Sequence, residues 1–533
     1  MERLKLALIP MSVGIVLLFL SWYTSYPVSI DSPYDFIYNH ISPLYWASLI
    51  ILFASFFIIA MKTRNNILRW TMTVSTVLLI YSLPYFYYMI PGSDSHFFRG
   101  LTEYFISTGD LNPTRVGTYH GYYQWPLFFI LNNVATSITG LDLRFFEFML
   151  FGIIGFLLAT SLYLYASKAH TNGYVAVVAF FIIIRYFFNY QWAPFSVATC
   201  LLLLLFILDK YAFRKHEATL AILVIFFSMT LTHAFIPAFF VLYSLMMYIV
   251  NKNRKYLKLF LLTLIIYLTV SIYYTVTFFT DLVQQLTSIY TLEYYGRVES
   301  VLATSMAPRP YIDVVAQTFS RTVVITTSII TGLGFITLLI KRKLRKNDYA
   351  ILLTGASYVA TGSLLGILGT RAFFLVTIPA SLGACYLVES KFKKYFRPLF
   401  LILIILFIFV PIHGTFYDRY IQFQTKEAYT TANFMIERYD WTHTSTILSH
   451  TEVRSYILAK VEKNAFLETD VSPRFLEMNV EIYDCIIHSV GLEKRLLGHN
   501  FSTQEISRQI ENKFNVIYSS GPSYIARKAN AKN

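Results

Sequence analysis

From Leu6 to Pro411 the chain is written as a series of apolar runs separated by short polar connections, and thirteen of these runs are about as long as a helix needs to be to cross a ~30 Å hydrocarbon layer. They begin near Leu6, Ser42, Trp70, Phe145, Gly173, Phe195, Ala218, Phe235, Leu259, Thr322, Ala350, Ala372 and Pro398. Residues 218–250 form an apolar stretch too long for one crossing, and Leu231-Thr232-His233-Ala234-Phe235-Ile236-Pro237 interrupts it, which predicts a hairpin of two helices with His233 at the turn. After Pro411 the pattern changes. Glu427 to Arg438 and Ser502 to Lys513 have helical periodicity, whereas Ser445 to Ser449, Tyr483 to Ser489 and Phe514 to Ile525 look like strands, the last with a turn at Ser519-Ser520-Gly521-Pro522. The expectation is an α-helical polytopic membrane protein over residues 1–411, followed by a small α/β domain over residues 412–533.

Composition agrees with the pattern. The 533 residues are 56% hydrophobic, 18% aromatic and only 14% charged, too apolar for a soluble protein. Lys and Arg gather in alternate connections, as in Lys62/Arg64, Lys252/Arg254/Lys255, Lys341/Arg342/Lys343/Arg345/Lys346 and Lys391/Lys393/Lys394/Arg397. By the positive-inside bias this side, with the N-terminus, is cytoplasmic, and an odd number of crossings puts the C-terminal domain outside. The net charge of +14 resides in the membrane part, because acidic and basic residues balance after Pro411. It therefore reflects topology and not nucleic-acid binding. Cys200, Cys385 and Cys485 are too few and too scattered for a disulfide framework or zinc site, and are expected to be inert. The N-terminal run has the basic start of a signal peptide, but Ser21-Trp22-Tyr23 offers no small-residue cleavage site, so it is read as a crossing.

Ionisable chemistry concentrates between Pro91 and Pro126, PGSDSHFFRGLTEYFISTGDLNPTRVGTYHGYYQWP. Asp94 and His96 follow an apolar run that ends at Ile90. Phe97, Phe98, Leu101, Phe105 and Ile106 then recur at helical spacing, which predicts a helix lying along the membrane surface. Tyr122-Tyr123-Gln124-Trp125-Pro126 closes the stretch with interfacial aromatics and a proline suited to a first helical turn.

In this order, the acidic residue at the end of a crossing, the surface helix and the Tyr-rich Trp-Pro closure resemble the first large external loop of the GT-C superfamily of polytopic glycosyltransferases, which use lipid-linked sugars. In that family the loop follows the first crossing; here it follows the third, which two additional N-terminal crossings would explain. The resemblance implies that Asp94 is the catalytic base or a metal ligand, with His96 beside it as a helper or an interfacial residue. It leaves cofactors open: if a divalent cation (Mg2+ or Mn2+) takes part, Asp94 would hold it. Asp31, Asp35 and His40 in the preceding external loop form a rival acidic site without the aromatic closure.

Four further stretches bear on the same resemblance. In the stretch that begins at Arg185, Asn189, Gln191 and Pro194 are similar to a Tyr/Ser-Pro-Gln element of archaeal and actinobacterial members and would contact substrate with Arg185, or the stretch forms an aromatic belt with Arg185 as its anchor. His233 would be a substrate contact or a capped helix end. The loop from Thr280 to Arg321 corresponds to one that in oligosaccharyltransferases orders on substrate binding and supplies an acidic residue. Arg371, in an almost minimal external turn Gly369-Thr370-Arg371, stands where these enzymes hold the donor phosphate, a task that suits a guanidinium fork, although an Arg there could also snorkel to headgroups.

The activity implied is transfer of a sugar from a polyprenyl-phosphate-linked donor to a glycan, lipid or protein acceptor at the outer face of the cell (plasma) membrane. Alternatives are a surface polysaccharide polymerase or ligase, or a lipid or glycan transporter. A transporter should keep ionisable groups near the bilayer midplane, where each is costly. In the thirteen runs the charges, such as Glu147, Arg185 and Arg371, lie at the ends instead.

Overall fold

The computed structural model describes residues 2–25, 41–80, 82, 93–111, 120–168, 170, 172–184, 192–274, 311–365, 369–407, 426–438, 446–449, 466–468, 485–489, 514–519 and 523–528. The described residues of the first 407 are almost entirely helical: α1 (Glu2–Thr24), α2 (Pro43–Lys62), α3 (Asn66–Ile80), α4 (Ser93–Thr108), α5 (Leu127–Thr139), α6 (Leu143–Ser167), α7 (Gly173–Ile184), α8 (Pro194–Leu208), α9 (His216–Thr230), α10 (Ile236–Asn251), α11 (Arg254–Tyr274), α12 (Tyr311–Ile340), α13 (Lys346–Leu365), α14 (Gly369–Glu389) and α15 (Lys393–Phe407). Each of the thirteen apolar runs falls on one of these helices. Four of them, within α1, α2, α11 and α12, are long and apolar enough to cross a membrane by length and composition alone. A helical membrane protein is the architecture this supports.

Local chemistry sets several of the boundaries. Ser42 caps α2, its hydroxyl accepting from the Leu44 N–H at 3.3 Å with Pro43 at the first helical position. Pro194 opens α8 in the same way, and Gly140 ends α5 with a left-handed φ of 67°. The hairpin expected over residues 218–250 is α9 and α10, with residues 231–235 between them.

The core is organised around α7, all twelve residues of which are buried. A helix apolar on every side belongs in a protein interior, and α7 touches α3, α6, α12, α14 and α15. The tightest crossing is between α12 and α14, where Gly334 and Gly383 face each other so closely that a methyl group on either would run into the backbone of the opposite helix. Small residues are what lets helices approach without a hydrophobic drive between them, as packing in a bilayer requires.

Two helices depart from the sequence reading. The thirteen runs do not include α5, which at about 1.5 Å per residue is only ~20 Å long and carries the exposed polar residues Ser137 and Thr139. Gly369, Thr370 and Arg371 are not an external turn but the first residues of α14, which continues through Pro379.

Beyond Phe407, α16 (Lys426–Arg438) and five strands are described: β1 (Thr446–Ser449), β2 (Phe466–Glu468), β3 (Cys485–Ser489), β4 (Phe514–Ser519) and β5 (Ser523–Lys528). The sheet order is β2-β1-β3-β5-β4. β1 is parallel to β2 and β3, while β5 is antiparallel to β3 and β4, with a register irregularity between Val516 and Tyr518. α16 packs against β5. The 3-residue strand β2 is missing from the sequence reading, and the helix expected at Ser502 to Lys513 lies outside the described residues.

Candidate functional site

The helix bundle has two unlike ends. At one, α2, α6, α8, α10, α12 and α14 finish and the connections are rich in Lys and Arg; this is the basic end. At the other, the aromatic end, α4, α5 and the first turns of α8, α10 and α14 come together.

At the aromatic end, α4 packs Phe97, Phe98, Leu101 and Tyr104 against Tyr123, Phe128, Phe129 and Ala193. Several ring edges meet ring faces, a favoured aromatic geometry: Phe97–Tyr122 at 5.4 Å, Phe98–Tyr122 at 5.2 Å and Tyr123–Phe129 at 5.0 Å between centroids. The Tyr123 hydroxyl donates to the Leu101 carbonyl at 2.7 Å. Burial above all, then the neighbouring Tyr104 and Asp110, pushes the Tyr123 phenol above its ordinary pKa, so it remains a donor. The Trp-Pro closure is thereby tied to the helix that follows Asp94. α4 is not a helix resting on a surface with one apolar face: Ser95, Arg99 and Thr102, which share a stripe, are buried as well. Arg99 is paired with Glu103 one turn later at 3.5 Å.

The closure then reaches the turn that carries His233. The Leu127 N–H donates to the Leu231 carbonyl at 3.0 Å, and Trp192 Nε1 donates to Asn132 Oδ1 at 3.1 Å. Phe195, in the first turn of α8, stands edge-on to the His233 ring at 5.5 Å and to Phe374 of α14 at 6.3 Å. Phe374 lies three residues after Arg371. Elements carrying Asp94, the aromatic closure, His233 and Arg371 are thus linked by direct contacts into one end of the bundle.

His233 caps α10. Its Nδ1 accepts from the Phe235 N–H at 3.1 Å and the Ile236 N–H at 3.4 Å, so the ring hydrogen is on Nε2. Tyr267 braces the same turn by donating to the Ala234 carbonyl at 3.0 Å. Both readings of His233 therefore persist in one geometry: Nδ1 is engaged in the cap, and Nε2 is the donor.

Two buried hydroxyls at this end, Ser95 Oγ in α4 and Ser196 Oγ in the first turn of α8, have no hydrogen-bond partner among the described residues. Buried polar groups are normally paired, and these two mark where a ligand's polar atoms or water would be received. Sequence reasoning passed over Ser95, Arg99 and Ser196. Only the four-residue spacing Ser95-Arg99-Glu103 hinted that one polar stripe runs along an otherwise apolar helix.

Asp94 and His96 lie in the first turn of α4 and Arg371 in that of α14, but their side chains fall outside the described residues. Arg185, Asn189, Gln191, Asp31, Asp35, His40 and most of the Thr280–Arg321 loop also fall outside them. Among the described residues no group of three His, Cys, Asp or Glu could hold a metal ion. Cys200 and Cys385 are buried, the latter donating to the Asn172 carbonyl at 3.0 Å.

The basic end is built from carboxylates. Asp209, 1% exposed, accepts from Tyr243 at 2.7 Å and from Asn347 Nδ2 at 3.1 Å, and Asn347 also reaches the Tyr243 hydroxyl at 3.0 Å. The next residue, Asp348, takes the Arg345 N–H and Nε at 2.8 and 3.0 Å, and the Tyr165 hydroxyl. Glu389 accepts from the Asn172 N–H at 2.9 Å and lies 3.1 Å from His170 Nδ1. These networks tie the residue after α8 to α10 and α13, α6 to α13, and α14 to the connection between α6 and α7.

No protein-family model matches this chain, and no curated protein matches it.

Proposed function

We propose that the chain is a membrane glycosyltransferase that moves a sugar from a polyprenyl-phosphate donor to a hydroxyl of a glycan, lipid or protein acceptor at the outer face of the cell membrane. The observation that supports this reading is a chain of contacts at the aromatic end: α4, the helix that carries Asp94, packs on the Tyr-rich Trp-Pro closure, the closure bonds to the His233 turn, and Phe195 links that turn to Phe374 of α14, the helix that carries Arg371. In the reading, thirteen helices cross the membrane, the basic end is cytoplasmic, and residues 412–533 form an extracytoplasmic α/β domain.

Asp94 removes the proton from the acceptor hydroxyl as its oxygen attacks the anomeric carbon. The carbon–oxygen bond to phosphate breaks, the anomeric configuration inverts, and polyprenyl phosphate departs. Arg371 meets the leaving phosphate, and His233 Nε2 donates to the donor's oxygens. A divalent cation held by Asp94 would serve the same leaving group by charge.

The basic end favours an enzyme over a transporter. Alternating access requires that end to open, and here two buried carboxylates, Asp209 and Asp348, and the partly exposed Glu389 hold it together through their hydrogen bonds. The test is sugar transfer by the purified protein from a polyprenyl-phosphate sugar to a hydroxyl acceptor, with loss of surface glycan sugar in cells lacking the chain as the in vivo counterpart. No transfer from any lipid-linked sugar, with glycans unchanged, rejects the reading.

A further inference from the structure

We propose that the basic end carries a docking site for anionic phospholipid headgroups, formed by the α12–α13 and α14–α15 connections. The site is separate from the aromatic end, and the inference rests only on the chain's lying in a membrane.

Because α12 and α14 run side by side in the same direction, they finish together and bring residues 341–346 next to residues 390–394. Lys341 Nζ donates to the Tyr386 hydroxyl at 2.7 Å, which fastens the first connection to α14. Lys341, Arg342, Lys343, Lys346, Lys391, Lys393 and Lys394 are all exposed. Between residues 331 and 400 the sequence has only two carboxylates, Asp348 and Glu389. Both are turned inward, Asp348 to Arg345 and Tyr165, Glu389 to His170 and the Asn172 N–H. A dense patch of positive charge is thus left without local compensation, beyond what setting the topology requires.

The flank of the patch argues for a lipid over a soluble polyanion. Ile340, Ile336 and Leu333, on one face of α12, are 76%, 51% and 58% exposed directly below the cations. Phe392 and Tyr395 are 49% and 63% exposed, with Lys391 Nζ 5.2 Å and Lys394 Nζ 4.7 Å from their ring centroids. Cations over an apolar face, with aromatic rings at the boundary, match a phosphate headgroup above acyl chains.

The experiment is titration of the full-length protein, purified in a neutral detergent, with phosphatidylglycerol or phosphatidylcholine, read by native mass spectrometry. Each cation near an anionic surface contributes roughly a fivefold effect. Replacing Lys391, Lys393 and Lys394 by Gln should therefore lower phosphatidylglycerol affinity on the order of 100-fold. The same number of charges removed elsewhere at that end, Arg214→Gln and Lys215→Gln in the α8–α9 connection and Lys258→Gln in the second turn of α11, should change it less than fivefold. Equal losses in the two triple variants would mean a diffuse field and no site, and would overturn the proposal.

A charge-preserving variant, Phe392→Ser with Tyr395→Ser, guards against misinsertion. It should weaken phosphatidylglycerol binding while leaving inorganic pyrophosphate binding unchanged. Pyrophosphate bound by the wild-type protein as tightly as the lipid would assign the patch to a soluble anion instead. None of these readouts depends on sugar transfer, so failure here and failure of the transferase reading are distinguishable.

Discussion

The two ends of the bundle solve the problem of buried polar groups in opposite ways. At the basic end the buried carboxylates of Asp209 and Asp348, and the partly exposed one of Glu389, are satisfied by groups distant in sequence or one turn away: Asp209 by Tyr243 and Asn347, Asp348 by Arg345 and Tyr165, Glu389 by Asn172 and His170. At the aromatic end the packing is by rings, and the hydroxyls of Ser95 and Ser196 are buried without partners among the described residues. A low-dielectric interior makes a satisfied network rigid and an unsatisfied group costly. The first arrangement suits a fixed end. The second suits an end completed by a ligand. Substitutions should therefore cost stability at one end and chemistry at the other.

The largest effect should come from Asp94→Asn. The substitution keeps shape and removes both the proton acceptor and the charge. General-base catalysis contributes about 100- to 10,000-fold, so transfer should fall by at least that range while expression and melting behaviour are unchanged. Asp31→Asn and Asp35→Asn serve as controls. Turnover at the wild-type rate in Asp94→Asn would remove the chemistry from α4, and loss confined to an Asp31 or Asp35 variant would move it to the preceding loop.

Asp348→Ala tests the opposite end. Breaking a buried ion pair costs about 3–5 kcal/mol, and the low end applies because the Arg345 side chain is 29% exposed while that of Asp348 is 1% exposed. The melting midpoint in detergent should drop clearly, with turnover per folded molecule unchanged. If it is turnover that falls and not the midpoint, the two ends do not divide stability and chemistry.

Much of this comparison was open to sequence reasoning, and the limits have physical causes. The apolar runs are legible because a crossing helix must be long and apolar, and the α9–α10 hairpin because a polar His-Pro stretch interrupts one such run. The inner networks were not legible. Asp209, just after α8, and Asp348, in the first turn of α13, sit among lysines and arginines, where a solvated charge and a buried hydrogen-bonded one look the same in sequence. α5, whose start the proline of the Trp-Pro closure marks, was not counted among the runs because its 13 residues are fewer than a crossing needs, and β2 was missed because 3 residues carry almost no periodicity. For the site, the order of motifs pointed to α4, the closure, His233 and Arg371. Which hydroxyls lie buried without partners depends on how helices distant in sequence pack, and no local pattern encodes that.

Arg371→Lys sharpens the chemical side. A lysine retains the charge but loses the planar fork that engages two phosphate oxygens at once. The donor KM should rise about tenfold, in line with the loss of one charge-assisted hydrogen bond of about 1.5 kcal/mol, while the acceptor KM is unchanged. Identical donor kinetics in the Lys variant would mean that Arg371 only anchors α14 at the membrane surface.

The smallest and most discriminating effect is at His233, where the two behaviours meet in one side chain. Nδ1 caps α10 through the Phe235 and Ile236 N–H groups, and Nε2 carries the ring hydrogen. His233→Ala removes both functions and should lower stability by about 1 kcal/mol, the usual cost of losing an N-terminal cap. His233→Asn restores a side-chain oxygen that accepts from the same N–H groups, since Asn is among the preferred capping residues, but its amide is too short to reach where Nε2 lies. The expected outcome is a split: the melting midpoint returns to the wild-type value in the Asn variant, while transfer remains about tenfold reduced, as for the loss of one hydrogen bond to a charged group. Recovery of both quantities would make His233 a cap alone and shift the donor contact to Arg371. Recovery of neither would mean that the imidazole ring's edge-on packing against Phe195, 5.5 Å away, holds this turn more firmly than the cap does.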